Sequence, residues 1–207
     1  DAERLYEKAR AGQIGPEEAT ALRRHLMMDQ VRMATEDGLT LTLHPGVLCD
    51  HDPETGRTYG ADVGCDIPYA IEVTKAMRPM LNAFGNHPNL NLVIFTLDED
   101  TYSREIAPLA GFYRSLYIGV PWWFIDAPES IMRFKQSVTE MGGFSRISGM
   151  IDDTRAFCSI PARHDMMRRL DAAHLANLVA LHRLDEDEAI DQAIKLVADN
   201  PKKVFKL

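Results

Sequence analysis

The fold class is decided by the stretch Leu92-Val93-Ile94-Phe95-Thr96-Leu97, which runs directly into the acidic residues Asp98-Glu99-Asp100. A continuous apolar run of this length, bounded by polar residues, predicts a β-strand that is buried on both faces. Helical patterns lie on both sides of it, at Pro68–Phe84, where Pro79 should introduce a kink, and at Tyr102–Ala110. A buried strand between two helices is typical of a parallel sheet whose faces are covered by helices.

The same alternation of strand and helix continues along most of the chain. Further strands are predicted at Leu39–His44, Ser115–Gly119 and Ile147–Ile151, and a further helix at Pro128–Met141. The pattern predicts parallel βα units in an α/β fold that is either doubly wound or barrel-forming.

The ends of the chain and one long connection complete this prediction. Residues 1–36 form a helical lead-in, residues 162–207 are mostly helical with a break near Leu184-Asp185, and the segment Val47–Asp66 is a long loop. Loops of that length in compact domains are usually functional or mobile. We predict a single α/β domain over residues 1–207.

Composition excludes several classes of partner. The chain has 207 residues, of which 45% are hydrophobic and 26% charged, as in ordinary globular proteins. A net charge of −8 argues against nucleic acid and anionic membranes as partners. No apolar run approaches the roughly 20 residues needed to span a bilayer. The three cysteines are odd in number and form no CxxC pair, which favours a cytoplasmic protein with free thiols.

A charged segment, Ile151-Asp152-Asp153-Thr154-Arg155, ends the last predicted strand. On an extended backbone Asp153 and Arg155 point to the same face, because side chains alternate with a period of two. Buried charge is costly unless it is paired, hydrogen-bonded or bound to a metal. One interpretation is an acid that binds a metal or transfers protons beside an anion-binding cation; the other is a structural ion pair.

Polar or aromatic clusters also follow the other strands. They are His44, Asp98, and the pair Trp122 and Trp123. In parallel α/β folds, ligands bind where the carboxyl ends of the strands converge. Each cluster also has a structural interpretation, since His44 could be hydrogen-bonded within the fold, Asp98 could begin a helix, and a tryptophan could pack in the core. No phosphate-binding loop, GxGxxG or GxSxG motif is present.

These residues lie within motifs that resemble the uronate isomerase (glucuronate isomerase) family of the amidohydrolase superfamily. The matching motifs are Leu43-His44-Pro45-Gly46, Gly64-Cys65-Asp66-Ile67-Pro68, Phe95-Thr96-Leu97-Asp98-Glu99, Thr101-Tyr102-Ser103-Arg104-Glu105, Ala107-Pro108-Leu109-Ala110-Gly111, Pro121-Trp122-Trp123-Phe124, Asp152 to Phe157, Ser159 to Asp165, and Pro201-Lys202-Lys203. The resemblance implies the C-terminal part, about strands five to eight, of a (β/α)₈ TIM barrel.

The resemblance also implies an activity, which is the aldose–ketose isomerisation of hexuronates such as D-glucuronate and D-galacturonate. Such a reaction needs an acid–base group and stabilisation of negative charge on oxygen. The resemblance assigns catalytic roles to Asp153, Arg155 and His44, and it assigns a divalent metal, usually zinc, to Asp153 and His44. Trp122 and Trp123 would line the substrate pocket. Arg104 is a further candidate, because a substrate carboxylate needs a cation.

The chain departs from the family pattern in three places. The HxH pair that supplies two metal ligands is absent, the first four strands have no counterpart, and Cys49 stands where arginine is expected. We therefore expect a segment of an isomerase that is inactive by itself, binds zinc weakly, and forms a homo-oligomer or associates with the missing half-barrel. The alternatives are a metal-dependent hydrolase of the same superfamily and a non-catalytic protein that binds uronates or serves assembly.

Overall fold

A computed structural model describes residues 1–152, 154 and 156–207. The strands are β1 (Thr40–Leu43), β2 (Val47–Leu48), β3 (Ile67–Pro68), β4 (Asn91–Ile94) and β5 (Leu116–Ile118). The helices are α1 (Ala2–Arg10), α2 (Pro16–Asp37), α3 (Pro53–Tyr59), α4 (Thr74–Phe84), α5 (Glu99–Thr101), α6 (Ala107–Phe112), α7 (Pro128–Gly142), α8 (Ile160–Ala180), α9 (Glu186–Ile194) and α10 (Asn200–Phe205). A π-helical turn, Tyr102–Ile106, joins α5 to α6, and another, Lys195–Asp199, joins α9 to α10.

The central sheet is parallel and has the strand order β1-β4-β5. Its register places Thr42 opposite Val93, and Val93 opposite Tyr117. Helices connect the consecutive strands of this sheet, so the predicted parallel βα arrangement is confirmed. A separate antiparallel pair, β2 with β3, stands at the carboxyl end of β1.

The predicted strand Ile147–Ile151 is wrong as a strand. Of residues 147–151, all of which the structure describes, only Ile147 pairs with the sheet, through a single parallel bridge to Ile118. Gly149 has a φ of +84°, outside the extended region, so the ladder cannot continue past it. A Cβ at Gly149 would lie 2.4 Å from Pro201 Cγ, which shows how closely the C-terminal helical segment packs on this turn.

Two predicted segments also differ from the structure. The long loop Val47–Asp66 contains β2 and α3, and α3 begins because the Asp52 carboxylate accepts a hydrogen bond from Thr55 N at 3.0 Å. The helix predicted from Pro68 begins instead at Thr74, and Pro79 lies inside it. The carboxylate of Glu105, distant in sequence, accepts from the backbone N–H groups of Val73 and Thr74, each at 2.7 Å, and so caps that helix.

The core lies between the sheet and the helices, and β4 is its centre. Every residue of β4 is buried, as expected for a strand covered on both faces. Helix α10 covers the amino-terminal ends of the strands. Asn91 Nδ2 donates a hydrogen bond to Val204 O at 2.8 Å, and Thr40 Oγ1 donates to the same carbonyl at 2.7 Å. The carboxyl ends of the strands, on the opposite side, are left open for a site. None of the described helices is both long enough and apolar enough to cross a bilayer.

Candidate functional site

An open cavity lies at the carboxyl ends of the parallel strands. It has a volume of about 420 Å³ and is lined by Thr42, His44, Phe95, Trp122 and Ile151. These residues come from β1 or from the segments that follow β1, β4, β5 and the Ile147 bridge. The convergence predicted for the ends of the strands therefore occurs for His44 and Trp122.

The imidazole of His44 is held between two aromatic rings. It stacks on Phe95 with centroids 4.5 Å apart and planes 2° apart, and it meets Trp122 edge to face at 4.9 Å. Phe95 itself needs the glycine that follows β5, because a Cβ at Gly119 would lie 2.3 Å from Phe95 Cδ1. The orientation of His44 thus depends on contacts from the segments that follow β4 and β5.

Trp122 lines the cavity and begins an aromatic segment, whereas Trp123, its neighbour in this segment, is not among the described lining residues. Their ring centroids are 5.4 Å apart, and Trp123 is 4.8 Å from Phe124. Trp123 has a φ of +54°, a left-handed conformation that costs a bulky residue about 1–3 kcal/mol. Trp122 Nε1 is buried and has no hydrogen-bond partner among the described residues. No sequence pattern predicts the strained backbone at Trp123.

Asp152 has a structural role that is separate from the predicted role of Asp153. Its buried carboxylate accepts a hydrogen bond from Thr154 Oγ1 at 2.5 Å and is paired with Arg163 Nε. The Thr154 hydroxyl and the Arg163 guanidinium lower the pKa of Asp152, against the opposing effect of burial. Asp153 and Arg155, the predicted catalytic pair, lie outside the described residues.

Arg163 lies in the first turns of α8 and contacts a second carboxylate as well. Its Nη2 is 2.7 Å from Asp126 Oδ2, and Asp126 directly follows the short 3₁₀ turn Trp123–Ile125. The hydrogen bond with Asp126, followed by that with Asp152, raises the pKa of Arg163. The sequence prediction missed this residue, since only the fold brings positions 126, 152 and 163 together.

Arg104 lies in the π-helical turn after β4 and is paired with Glu105, with Nη2 3.1 Å from Glu105 Oε1. Its side chain remains 56% exposed. Burial alone would raise the pKa of Glu105, but hydrogen bonds from Thr74 and Val73 lower it overall.

Asp98 caps α5, since its carboxylate accepts from Asp100 N at 3.0 Å and Thr101 Oγ1 at 2.8 Å. The helix-start interpretation of Asp98 is therefore confirmed.

A metal centre is not formed by the described residues alone. Across residues 1–152, 154 and 156–207, no group of three or more His, Cys, Asp and Glu side chains could hold a metal ion. Catalytic zinc typically has three protein ligands. Of the two predicted ligands, His44 lies in the cavity and Asp153 is outside the described part of the chain. The donor set described for this chain therefore does not fit a metal, and no chemical step is derived through one.

A second, larger and mostly apolar cavity of about 670 Å³ lies on the other face of β1. Its lining includes Leu43, Tyr69 and Ile71 together with Met77 and Met80 of α4. His44 lines both cavities, whereas Pro45 lines only the larger one. Its described lining includes Ile94 of β4 but no residue of β5 or of the segments after β5, so Trp122 and Ile151 line only the smaller cavity.

Comparison with known proteins places the chain in a family. The family model described as glucuronate isomerase matches residues 1–205. A uronate isomerase from Cutibacterium acnes is 63% identical over 203 residues, which is 98% of this chain and 43% of the relative. One from Rhizorhabdus wittichii is 47% identical over 207 residues, which is 100% of this chain and 44% of the relative.

Solved structures agree with this assignment. The crystal structure of glucuronate isomerase from Caulobacter crescentus superposes with a TM-score of 0.96 at 46% identity, and covers 99% of this chain and 43% of that one. Uronate isomerase from Thermotoga maritima gives a TM-score of 0.93 at 26% identity, with 99% and 45% covered. The chain therefore has the α/β fold of these barrel enzymes, and it belongs to the glucuronate isomerase family. It spans less than half the length of the relatives it matches.

Proposed function

We propose that this chain is part of an enzyme that interconverts aldose and ketose hexuronates, such as D-glucuronate with D-fructuronate and D-galacturonate with D-tagaturonate. The family match over residues 1–205 carries the proposal. It is supported by the cavity at the carboxyl ends of the strands, where an imidazole and a tryptophan are 4.9 Å apart. An aromatic wall beside a polar side chain suits a sugar, which has apolar faces and hydroxyl edges.

The chemistry moves two protons. One leaves C2 of the aldose and one is added at C1; in addition, the O2 hydroxyl loses its proton and O1 gains one. The intermediate is an enediol, and no oxidant or reductant is consumed. In this proposal His44 and Asp153 are the acid–base groups, because both side-chain types transfer protons at accessible pH. Arg155 stabilises negative charge on the enediolate oxygen or the substrate carboxylate.

The remaining site residues act in binding. In this proposal Trp122, which lines the cavity, and Trp123, whose ring contacts that of Trp122, form the wall against which the sugar ring packs. Arg104 is the further candidate for the substrate carboxylate, and the exposure of its side chain leaves it accessible despite its pairing with Glu105. Each of these assignments is tested by substitution in an active enzyme.

We further propose that β1, β4, β5 and the segment at Ile147 are strands five to eight of a (β/α)₈ barrel. Among the described strands, β1 pairs on one side only, so its outer edge can accept the preceding barrel strand. The complementary strands would come from the remaining length seen in the relatives or from a partner, including association into a homo-oligomer. A divalent metal such as zinc would then bind His44 and Asp153 with further ligands from outside the described residues.

The test compares isomerase turnover of this chain alone with that of the chain combined with a segment supplying the remaining length of a relative. We expect turnover and bound metal only in the combination, and we expect His44→Gln to abolish that turnover. His25→Gln, an exposed change on α2, is the matched control and should leave turnover unchanged. Robust turnover by the chain alone would overturn the half-barrel proposal.

Other outcomes separate the competing functions. Hydrolysis of a lactone or amide by the combination, without isomerisation, would identify a hydrolase. Uronate binding measured by calorimetry, without any turnover, would identify a binding or assembly protein.

A further inference from the structure

The two loops that border the cavity are joined by one side chain. The Arg163 guanidinium contacts Asp126, 37 residues away, and Asp152, 11 residues away. Asp126 ends the segment that carries Trp122 and Trp123, and Asp152 immediately precedes the predicted catalytic residue Asp153. No other described ion pair involves both of these loops.

We propose that Arg163 is a positioning residue that fixes the segment of Trp122 and Trp123 relative to Asp152, the residue before the predicted catalytic Asp153. This rests on the proposed function and deepens it, because it assigns the alignment of the uronate site to a group outside the cavity lining. Arg163 is not among the residues that line the cavity in the described part of the chain, so it acts through the segments it joins.

The conformation of the tryptophan wall supports this role. Trp123 occupies a left-handed backbone conformation, which persists only where neighbouring contacts overdetermine it. The ion pair between Asp126 and Arg163 supplies such a contact three residues further along the chain. It is only partly exposed, and Asp126 Oδ2 lies 2.7 Å from Arg163 Nη2. A bulky residue with positive φ is therefore held in place from α8.

The charges make the guanidinium essential to this arrangement. Asp126 and Asp152 both contact Arg163, and their side chains are 19% and 5% exposed. Without the cation, two carboxylates that share one site would repel each other, and Asp152 would lose an ionic partner in a buried position. Removing Arg163 should therefore separate the two loops, whereas removing only the charge of Asp126 should loosen the tryptophan segment alone.

The test uses intrinsic fluorescence, because Trp122 and Trp123 are the only tryptophans of the chain. Arg163→Met should shift the emission to longer wavelength and raise acrylamide quenching at least twofold, with the helical circular dichroism retained. Asp126→Asn should give a smaller change in the same direction, and Arg163→Lys should recover part of the wild-type signal. Arg169→Met, which removes an exposed ion pair on the same helix, is the control and should change nothing.

A double-mutant cycle checks the repulsion. Asp126→Asn combined with Arg163→Met should perturb fluorescence less than Arg163→Met alone, because one of the two carboxylates is then uncharged. If Arg163→Met prevents folding, Asp126→Asn and Arg163→Lys still report on the contact. Unchanged emission and quenching in the folded variants would overturn the proposal.

The effect of Arg163 on the uronate reaction is measured by steady-state kinetics, separately from the fluorescence. In the combination that turns over uronates, Arg163→Lys should lower kcat/KM at least tenfold, and Arg169→Met should not. Fluorescence changes without any uronate turnover in the wild type would contradict the proposed function and leave the positioning contact established. Normal turnover in Arg163→Met would contradict the positioning role alone.

Discussion

The imidazole of His44 lies flat against the phenyl ring of Phe95, with ring centroids 4.5 Å apart and planes 2° apart. His44 follows β1 and Phe95 follows β4, so the contact depends on the parallel register that pairs Leu43 with Ile94. His44 and Phe95, the residues directly after this last pair, then lie side by side. The position of the candidate acid–base group is therefore set by strand pairing.

Gly119→Ala should disturb this stack. The new Cβ would lie 2.3 Å from Phe95 Cδ1, closer than real contacts allow, so Phe95 must shift. We expect a loss of about 1–3 kcal/mol in the free energy of unfolding, typical of overpacking, measured by urea denaturation. Gly56→Ala, inside α3 with its nearest neighbour at 4.0 Å, is the control and should be neutral or stabilising. Equal stability of the two variants would contradict the packing argument.

Lys135 and Asp171 form a buried ion pair between α7 and α8, with side chains 3% and 8% exposed. Lys135→Met should lower the free energy of unfolding by about 3–5 kcal/mol, because it leaves a carboxylate buried without its partner. The double variant Lys135→Met, Asp171→Leu should be more stable than Lys135→Met, since no charge is then buried. Arg183→Met, which removes an exposed pair, is the control and should have little effect. If the losses in the free energy of unfolding, measured by urea denaturation, were additive for the two substitutions, that would argue against coupling between Lys135 and Asp171.

His174 makes stability depend on pH. Burial lowers its pKa from 6.5 to about 4, and the positive charges of Lys135 and Arg183 act in the same direction. The unfolded chain therefore binds the proton first, and stability from this group is lost as pH falls from 6.5 towards 4. Between pH 7 and pH 4.5, the free energy of unfolding of the wild type, measured by urea denaturation, should fall by about 2 kcal/mol more than that of His174→Gln. Parallel stability curves for the two proteins would rule out this contribution.

Arg104→Met separates two roles for that residue. If its guanidinium binds the substrate carboxylate, the variant in a turnover-competent combination should raise KM at least tenfold, the effect of losing a charge-assisted contact. If Arg104 serves only Glu105, KM should be unchanged and stability slightly lower. Arg57→Met, an exposed i,i+3 pair on α3, is the control for loss of a surface arginine. Steady-state kinetics with urea denaturation distinguishes the outcomes.

Local patterns predicted much of the fold because they depend on neighbours in sequence. The apolar run at Leu92–Leu97 predicts a buried strand, and the structure has β4 at Asn91–Ile94 with every residue buried. The helix predicted at Pro128–Met141 is α7, Pro128–Gly142. The start of α4 could not be predicted, because the cap at Val73 and Thr74 is the carboxylate of Glu105, more than thirty residues later in the chain.

Sequence alone determined the parallel α/β class, the placement of polar and aromatic residues after the strands, and the family resemblance, because apolar periodicity and local motifs are properties of adjacent residues. Tertiary structure decided which of those residues meet. The register of β1 and β4 brings His44 onto Phe95, and the packing of α8 brings Arg163 between Asp126 and Asp152. Such contacts join residues far apart in sequence, and their geometry exists only after the chain has packed.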